Sequence, residues 1–307
     1  MKSVLLYGFG KLGVSIVEGL IDRNIKVYHE SYNGPNDTEY VFDYNGVIVD
    51  IFNSTKLKNN IYKKDLKEVV SYIVVTLVGN VLEKEIDFLL SLDIPLVILS
   101  TKFDSESVKE KALTAKVKVL MSQNMALGIV DFWNRIEKMD RLDPSFKIDA
   151  TIIESHQSMK QDIIGSAMTV LKLFKDKGFN VTFPDNNTYI VGNDGKSGSV
   201  TWLRSEKSQI EAGVPEEFLS GHGYHIIELK FDIYDFNYIR SLFRYFSSLK
   251  DYSIENVFDF DVYYEDKSLY IIHNINGRDI YTDGVVKSIN FLETVDSGVY
   301  LAIDIIS

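Results

Sequence analysis

Between Val4 and Tyr28 the chain reads strand, glycine turn, helix, strand, and that order constrains the fold more than any other feature. Val4 to Tyr7 is an apolar run that leads into Gly8-Phe9-Gly10-Lys11-Leu12-Gly13. Val14, Ile16, Val17, Leu20 and Ile21 then recur at helical spacing, and a second strand follows at Ile25 to Tyr28. A G-x-G-x-x-G in this context divides its labour among the glycines. Gly8 permits the tight turn, Gly10 lets the backbone approach a pyrophosphate, and Gly13 lets helix and strand pack closely. The N-terminus of the helix then offers unpaired N–H groups to phosphates. Phe9, Lys11 and Leu12 fill the remaining positions, and Lys11 is long enough to reach a phosphate. Glu30, at the end of the second strand, stands where a carboxylate would accept a ribose 2′-hydroxyl and repel a 2′-phosphate, so NADH is favoured over NADPH.

The alternation continues. Strand runs at 46–51, 72–77, 95–99 and 117–121 are separated by helical stretches at 63–70, 81–92 and 105–115. The near-continuous apolar strands Tyr72 to Leu77 and Pro95 to Leu99 are the kind buried on both faces of a parallel sheet. The pattern predicts a doubly wound α/β sheet, which binds ligands beyond the C-terminal ends of its strands. Gly8 to Gly13, Glu30, Ser100, Thr101, Gln123, Asn124 and Met125 all fall at such ends, and we expect them to form one cofactor site.

After Gly128 the character changes. A helix at 129–139, a strand at 148–153 and a helix at 165–177 are followed by aromatic strand runs at 188–191, 199–202, 225–231, 257–264 and 269–273, with a helix at 237–248. The pattern predicts a second, α+β domain over 129–278, built on a mostly antiparallel sheet. The first domain spans 1–128, and a C-terminal helical segment at about 279–307 returns to it.

The chemistry-bearing stretch is Glu154-Ser155-His156-Gln157-Ser158-Met159-Lys160-Gln161-Asp162, where a strand hands over to a loop and then a helix. If 156–160 were helical, His156 and Lys160 would share a face. Two such cations lower each other's proton affinity, and a lysine with a depressed pKa is a usable acid near neutrality. His225 and His273 lie in apolar strands and read as hydrogen-bonded core histidines. His222 carries no expected role.

Composition sets limits. The net charge of −11 over 307 residues disfavours nucleic acid and anionic membranes as partners. With no cysteine, disulfides and thiolate metal sites are excluded, and a cytoplasmic setting is expected. No stretch approaches the roughly 18 apolar residues of a membrane span. No metal is expected.

At this level of detail the chain resembles the dihydrodipicolinate reductase family, end to end. Gly8 to Gly13 is similar to the family's glycine motif. Ser100-Thr101-Lys102-Phe103-Asp104 is similar to its G-T-T-G-F-D loop, and Gln123 to Gly128 to its N-F/M-S-x-G segment. Glu154 to Lys160 resembles the signature E-x-H-H-x-x-K, with Gln157 in place of the second histidine. Asp162 to Ala167 resembles D-A-P-S-G-T-A with one residue missing, Gly223-Tyr224-His225 the family's G-E/T-H, and Gly284 to Lys287 its closing G-A-V-R helix. Lys102 replaces a glycine, so the loop backbone is expected to differ there.

The resemblance implies a Rossmann domain joined to a substrate and oligomerisation domain, a cytoplasmic homotetramer, and a place in lysine and diaminopimelate biosynthesis. It implies NADH or NADPH as cofactor and a cyclic imine dicarboxylate as substrate. His156 and Lys160 would be catalytic, with Lys160 the proton donor. Gln157, Gly165, Ser166 and Ala167 would meet the substrate. Because Ile163-Ile164-Gly165 replaces the family's turn, a related reductase or dehydrogenase on another imine or amine is the alternative. A non-catalytic dinucleotide sensor is a third reading, which the His156/Lys160 pair argues against.

Overall fold

The computed structural model describes residues 2–8, 10–31, 40–44, 47–53, 63–160, 165–185, 191–232 and 236–306. The chain divides into two compact units, one of Met1–Leu127 with Tyr281–Ser307, the other of Gly128–Ile280.

In the first unit the elements run β1 (Ser3–Tyr7), α1 (Lys11–Asp22), β2 (Lys26–Ser31), β3 (Tyr40–Tyr44), β4 (Val47–Asn53), α2 (Lys63–Val69), β5 (Tyr72–Val75), α3 (Gly79–Ser91), β6 (Leu96–Ile98), α4 (Ser105–Ala115) and β7 (Val119–Met121). Helix α9 (Asp279–Thr294) and β14 (Val299–Leu301) close it. The strand order is β14-β7-β6-β5-β1-β2-β4-β3, parallel throughout except at the β3–β4 edge. Strands β1, β5, β6 and β7 are buried at every residue, because alternate side chains feed two cores. Leu5, Tyr7, Ile73, Val75 and Ile98 pack under α3 and α4 with Leu82, Ile86 and Val108. Val4, Leu6, Val74 and Val97 pack on the other face with Ile16 and Leu20 of α1 and Val285 and Ile289 of α9. The chain builds outward from β1 in one direction through β2 and β4, then returns to pair β5 on β1's other side. The order therefore reverses between β1 and β5, the position where doubly wound sheets open a ligand crevice. Gly8 lies there, joined to β5's end by the Thr76 hydroxyl, which donates to the Gly8 carbonyl at 2.9 Å.

Two edges differ from expectation. The C-terminal segment is not one helix to 307. It ends at Thr294, and Val299–Leu301 adds a parallel strand to β7, followed by a 3₁₀ turn at Ala302–Ile305. A three-residue strand has too few side chains to show a period. Tyr40–Tyr44, which carries no predicted element, forms the antiparallel edge strand β3.

The second unit holds α5 (Leu127–Lys138), β8 (Ile148–His156), α6 (Ser166–Asp176), β9 (Gly195–Ser197), β10 (Val200–Leu203), α7 (Glu206–Glu211), β11 (His222–Phe231), α8 (Phe236–Ser247), β12 (Phe258–Glu265) and β13 (Ser268–Asn276). Its six-stranded sheet has the order β12-β13-β11-β8-β10-β9 and is antiparallel except for the β8–β10 pair. The helical face is cemented by Phe132, whose ring meets Phe174, Phe246 and Phe260 edge-on at 5.6–6.4 Å. The strand expected at 188–191 falls on residues of which 188–190 lie outside those described. Among the described residues, no helix is long and apolar enough to cross a membrane.

Candidate active site

Strand β8 runs three residues further than its apolar pattern predicts. Its ladder to β11 continues through Glu154↔His225, Ser155↔Tyr224 and His156↔Gly223. Residues 156–160 are therefore not a helix. His156 ends the strand, and a turn follows, with the Lys160 N–H donating to the Gln157 carbonyl at 3.0 Å. The i, i+4 spacing of His156 and Lys160 resembles a helix start, but cross-strand pairing far away in sequence decides otherwise.

Each of the last three residues of β8 is held by the segment between Arg204 and His222. Glu154, fully buried, forms an ion pair through Oε1 with the equally buried guanidinium of Arg204. Arg204 also donates to the Leu203 carbonyl at 2.9 Å. The Lys160 ammonium stands 4.0 Å from the same Oε1. Ser155 Oγ meets His222 Nε2 at 2.8 Å, and His156 Nδ1 meets the His222 carbonyl at 2.9 Å. The Gln209 side-chain amide donates to the His156 carbonyl at 2.8 Å. Asp194 accepts from Ser205 N, Ser205 Oγ and Ser208 Oγ at 2.8–2.9 Å, which fixes the start of α7 behind this plate.

Tautomers follow from the acceptors. A carbonyl only accepts, so His156 and His222, whose Nδ1 atoms face the His222 and Phe218 carbonyls, both carry their proton on Nδ1. His222 Nε2 then accepts from the Ser155 hydroxyl, and His156 Nε2 presents a lone pair. Burial holds the His156 pKa well below the usual histidine value, and the charges of Lys160 and Arg204 push it the same way. His156 is therefore neutral at pH 7. The lysine charge thus lowers the proton affinity of His156, as expected for two neighbouring cations, while the Lys160 ammonium faces the carboxylate of Glu154.

Beyond His156 the imidazoles continue inward. His225 lies 5.2 Å from His156 ring to ring, and His273 lies 4.6 Å from His225. Neither ring nitrogen of His225 or His273 has a hydrogen-bond partner among the described residues, so the expectation of hydrogen-bonded core histidines is corrected as to bonding. Glu154, His156 and His225 bring one ligand-type atom each within 4.8 Å of one another. Arg204 and Lys160 sit on the same carboxylate, so the field of this cluster suits an anion.

In the first unit, Gly8 has φ +119° and lies under Thr76. A Cβ on Gly13 would stand 2.4 Å from the Gly8 carbonyl oxygen. Gly10 is exposed, with nothing within 4 Å of an added Cβ, and no side chain caps the start of α1. Close packing below and open space above an uncapped helix fit a pyrophosphate. We expect Gly13→Ala to weaken NADH binding more than tenfold by displacing this turn, read by calorimetry; an unchanged Kd would contradict the assignment.

The other expected cofactor residues are less uniform. Lys11 and Thr101 are exposed, Gln123 is exposed, and Leu12 packs partly into the core. The Ser100 hydroxyl is buried and donates to the Leu77 carbonyl at 2.7 Å. Asn124 Oδ1 accepts from Ala126 N at 2.9 Å. Met125 is buried, and its carbonyl lies 2.0 Å from where a Cβ on Gly284 would sit. Glu30 is the penultimate residue of β2, with its side chain outside what the structure describes, and Phe9 lies outside the described residues. Lys102 takes φ +59°, the left-handed conformation a glycine would adopt. The lysine bears a strain of about 1–2 kcal/mol, while Gly79 makes room for the loop, its absent Cβ falling 2.1 Å from the Lys102 carbonyl.

Among the expected substrate residues, Gly165 begins α6 as Gly10 begins α1, uncapped by a side chain and with nothing within 4 Å of an added Cβ. Ser166 is half-buried on the first turn and Ala167 buried beneath it. Gln157 is half-buried just beyond the strand. Residues 161–164 lie outside those described.

The fold is a doubly wound, mostly parallel α/β sheet in one unit and a mostly antiparallel sheet with helices in the other. No protein-family profile matches the chain. Among curated proteins it is 22% identical to 4-hydroxy-tetrahydrodipicolinate reductase 1, chloroplastic, of Arabidopsis thaliana, over 97% of this chain and 75% of that protein. It is 24% identical to the probable 4-hydroxy-tetrahydrodipicolinate reductase 1, chloroplastic, of Oryza sativa subsp. japonica, over 94% and 72%. The dipicolinate-bound dihydrodipicolinate reductase of Paenisporosarcina sp. TG-14 superposes with a TM-score of 0.60 at 15% identity, covering both chains entirely. Aspartate semialdehyde dehydrogenase II of Vibrio cholerae shares the fold at a TM-score of 0.51 and 10% identity, over 95% of this chain and 98% of that one. Over nearly its whole length the chain is thus similar to proteins named 4-hydroxy-tetrahydrodipicolinate reductase, and it shares the fold of a dihydrodipicolinate reductase.

Proposed function

We infer that this protein is an NAD(P)H-dependent reductase of a cyclic, unsaturated imine dicarboxylate of the dihydrodipicolinate type. The observation that carries the reading is the end of β8, where the Lys160 ammonium faces Glu154 and stands beside a neutral His156. When bound, the nicotinamide cofactor supplies the hydride. Lys160 gives a proton to the substrate carbon that would otherwise carry negative charge, and solvent restores it. His156, with its lone pair on Nε2, accepts a hydrogen bond from the substrate's ring nitrogen when that imine is protonated. Arg204 and Lys160 against Glu154 leave one net positive charge for an anionic ring. Ser166 and the open start of α6 hold a carboxylate. Glu30 favours NADH.

A planar stand-in tests the substrate class. We expect pyridine-2,6-dicarboxylate to bind the protein, and Lys160→Met to weaken that binding at least tenfold, read by calorimetry. Absence of binding by the unaltered protein would sink the dicarboxylate reading and direct attention to other imines.

The sheet face of the second unit opposite its helices supports self-assembly. Ile153 and Tyr263 are 38% and 37% exposed there, and Tyr263 stacks on Tyr270 at 4.9 Å. We expect a tetramer by sedimentation velocity; a monomer at micromolar concentration would contradict it.

A further inference from the structure

We propose that Glu154 is the positioning residue for the proton donor: its Oε1 aims the Lys160 ammonium and keeps it protonated, while Arg204 keeps Glu154 ionised. The proposal rests on the reductase reading above and deepens it.

The geometry is asymmetric in an informative way. Glu154 is fully buried, directly opposite His225 on β11 and beside Trp202 on β10. A carboxylate so placed takes up a proton unless a fixed cation opposes it. Arg204 is that cation. It cannot give up its charge, it is itself fully buried, and its own bonds to the Leu203 and Glu154 carbonyls at 2.9 and 3.4 Å tie it in place. Lys160 addresses the same oxygen from 4.0 Å, beyond a tight hydrogen bond, and its side chain is 18% exposed. It is close enough to feel the charge. Oε2 faces His225 Nε2 at 3.9 Å. The groups facing the pair include Arg204 from the segment after β10, His156 from β8, and His222 and His225 from β11. Burial keeps all three imidazoles neutral, so they add no charge that would expel the lysine's proton.

In the reaction, one Nζ–H bond of Lys160 breaks as a C–H bond forms on the substrate. The bonding pair stays on Nζ, and water returns the proton to an amine that still faces the Glu154 charge. Without that charge, Lys160 would sit beside Arg204 uncompensated and lose its proton at lower pH.

Glu154→Gln tests this with two readouts from pH 6 to 10. One is the reactivity of Lys160 toward acetic anhydride, followed by peptide mass spectrometry without substrate. The other is the alkaline limb of kcat. We expect both to move at least one pH unit downward, with kcat at its optimum at least tenfold lower. Should Glu154→Gln fail to fold because Arg204 is left buried and unpaired, Glu154→Asp keeps the charge but withdraws it, and a smaller shift in the same direction is expected. An unmoved Lys160 reactivity profile in the folded variant overturns the proposal. A moved profile in a protein that turns over no imine would leave the pairing standing and overturn the reductase reading instead.

Discussion

Replacing Lys160 with alanine is expected to lower kcat by roughly 10²–10⁴ while leaving the fold and dinucleotide binding intact. The lysine lies in a turn after β8, where its backbone N–H donates to the Gln157 carbonyl. Its removal leaves the buried Glu154–Arg204 pair balanced, so no uncompensated charge is created in the core. The loss should therefore fall on kcat and on dicarboxylate binding, with thermal stability within a few degrees of the parent. A folded Lys160→Ala protein with less than a tenfold fall in kcat would remove Lys160 from the role of acid. The contrast with Arg204 is instructive: removing that side chain strands Glu154 and is expected to cost stability first.

Acidification should destabilise the second unit steeply between pH 7 and 5. Burial lowers the pKa of His222 to about 4, against carbonyl hydrogen bonds that partly restore it, and that of His273 to about 3. In the unfolded chain both titrate near 6.5. The folded state thus binds fewer protons than the unfolded state, so stability is fully present above pH 6.5 and drains away as pH falls toward the folded pKa values. At pH 5 each histidine has given up about 2 kcal/mol, so the two together cost about 4 kcal/mol. Denaturant melts at pH 7.5 and 5.0 should show this loss with proton uptake on unfolding. His273→Phe, set between the rings of Phe132 and Phe260, should reduce the slope by its share. Stability that stays flat over this range would contradict the neutral, buried assignment.

What the sequence made legible is what depends on neighbours in the chain. The glycine turn, the apolar strands of the parallel sheet, α4 at Ser105–Ala115 and the amphipathic helices rest on local spacing, and all of them form. Glu154, His156 and Lys160 were visible as a charged cluster because they lie within seven residues. Their surroundings were not. Arg204 meets Glu154 across 50 positions and His222 meets Ser155 across 67, and nothing local marks either residue. His222, read as having no role, sets the tautomer of His156 through its backbone carbonyl, which any residue could supply and which leaves no signature. The extension of β8 to His156 was hidden for the same reason, since β11 and not the local pattern sets it. Lys102 is the converse case. A side chain that disfavours the left-handed backbone holds it regardless, because the loop closes against Gly79 and the packed unit outweighs a strain of about 1–2 kcal/mol.

The most direct test of the central claim is oxidation of NADH and NADPH at 340 nm, with substrate generated in situ by dihydrodipicolinate synthase. Rapid, saturable oxidation that requires the synthase and favours NADH is the predicted result. Tight NADH binding without any turnover of that substrate would contradict it.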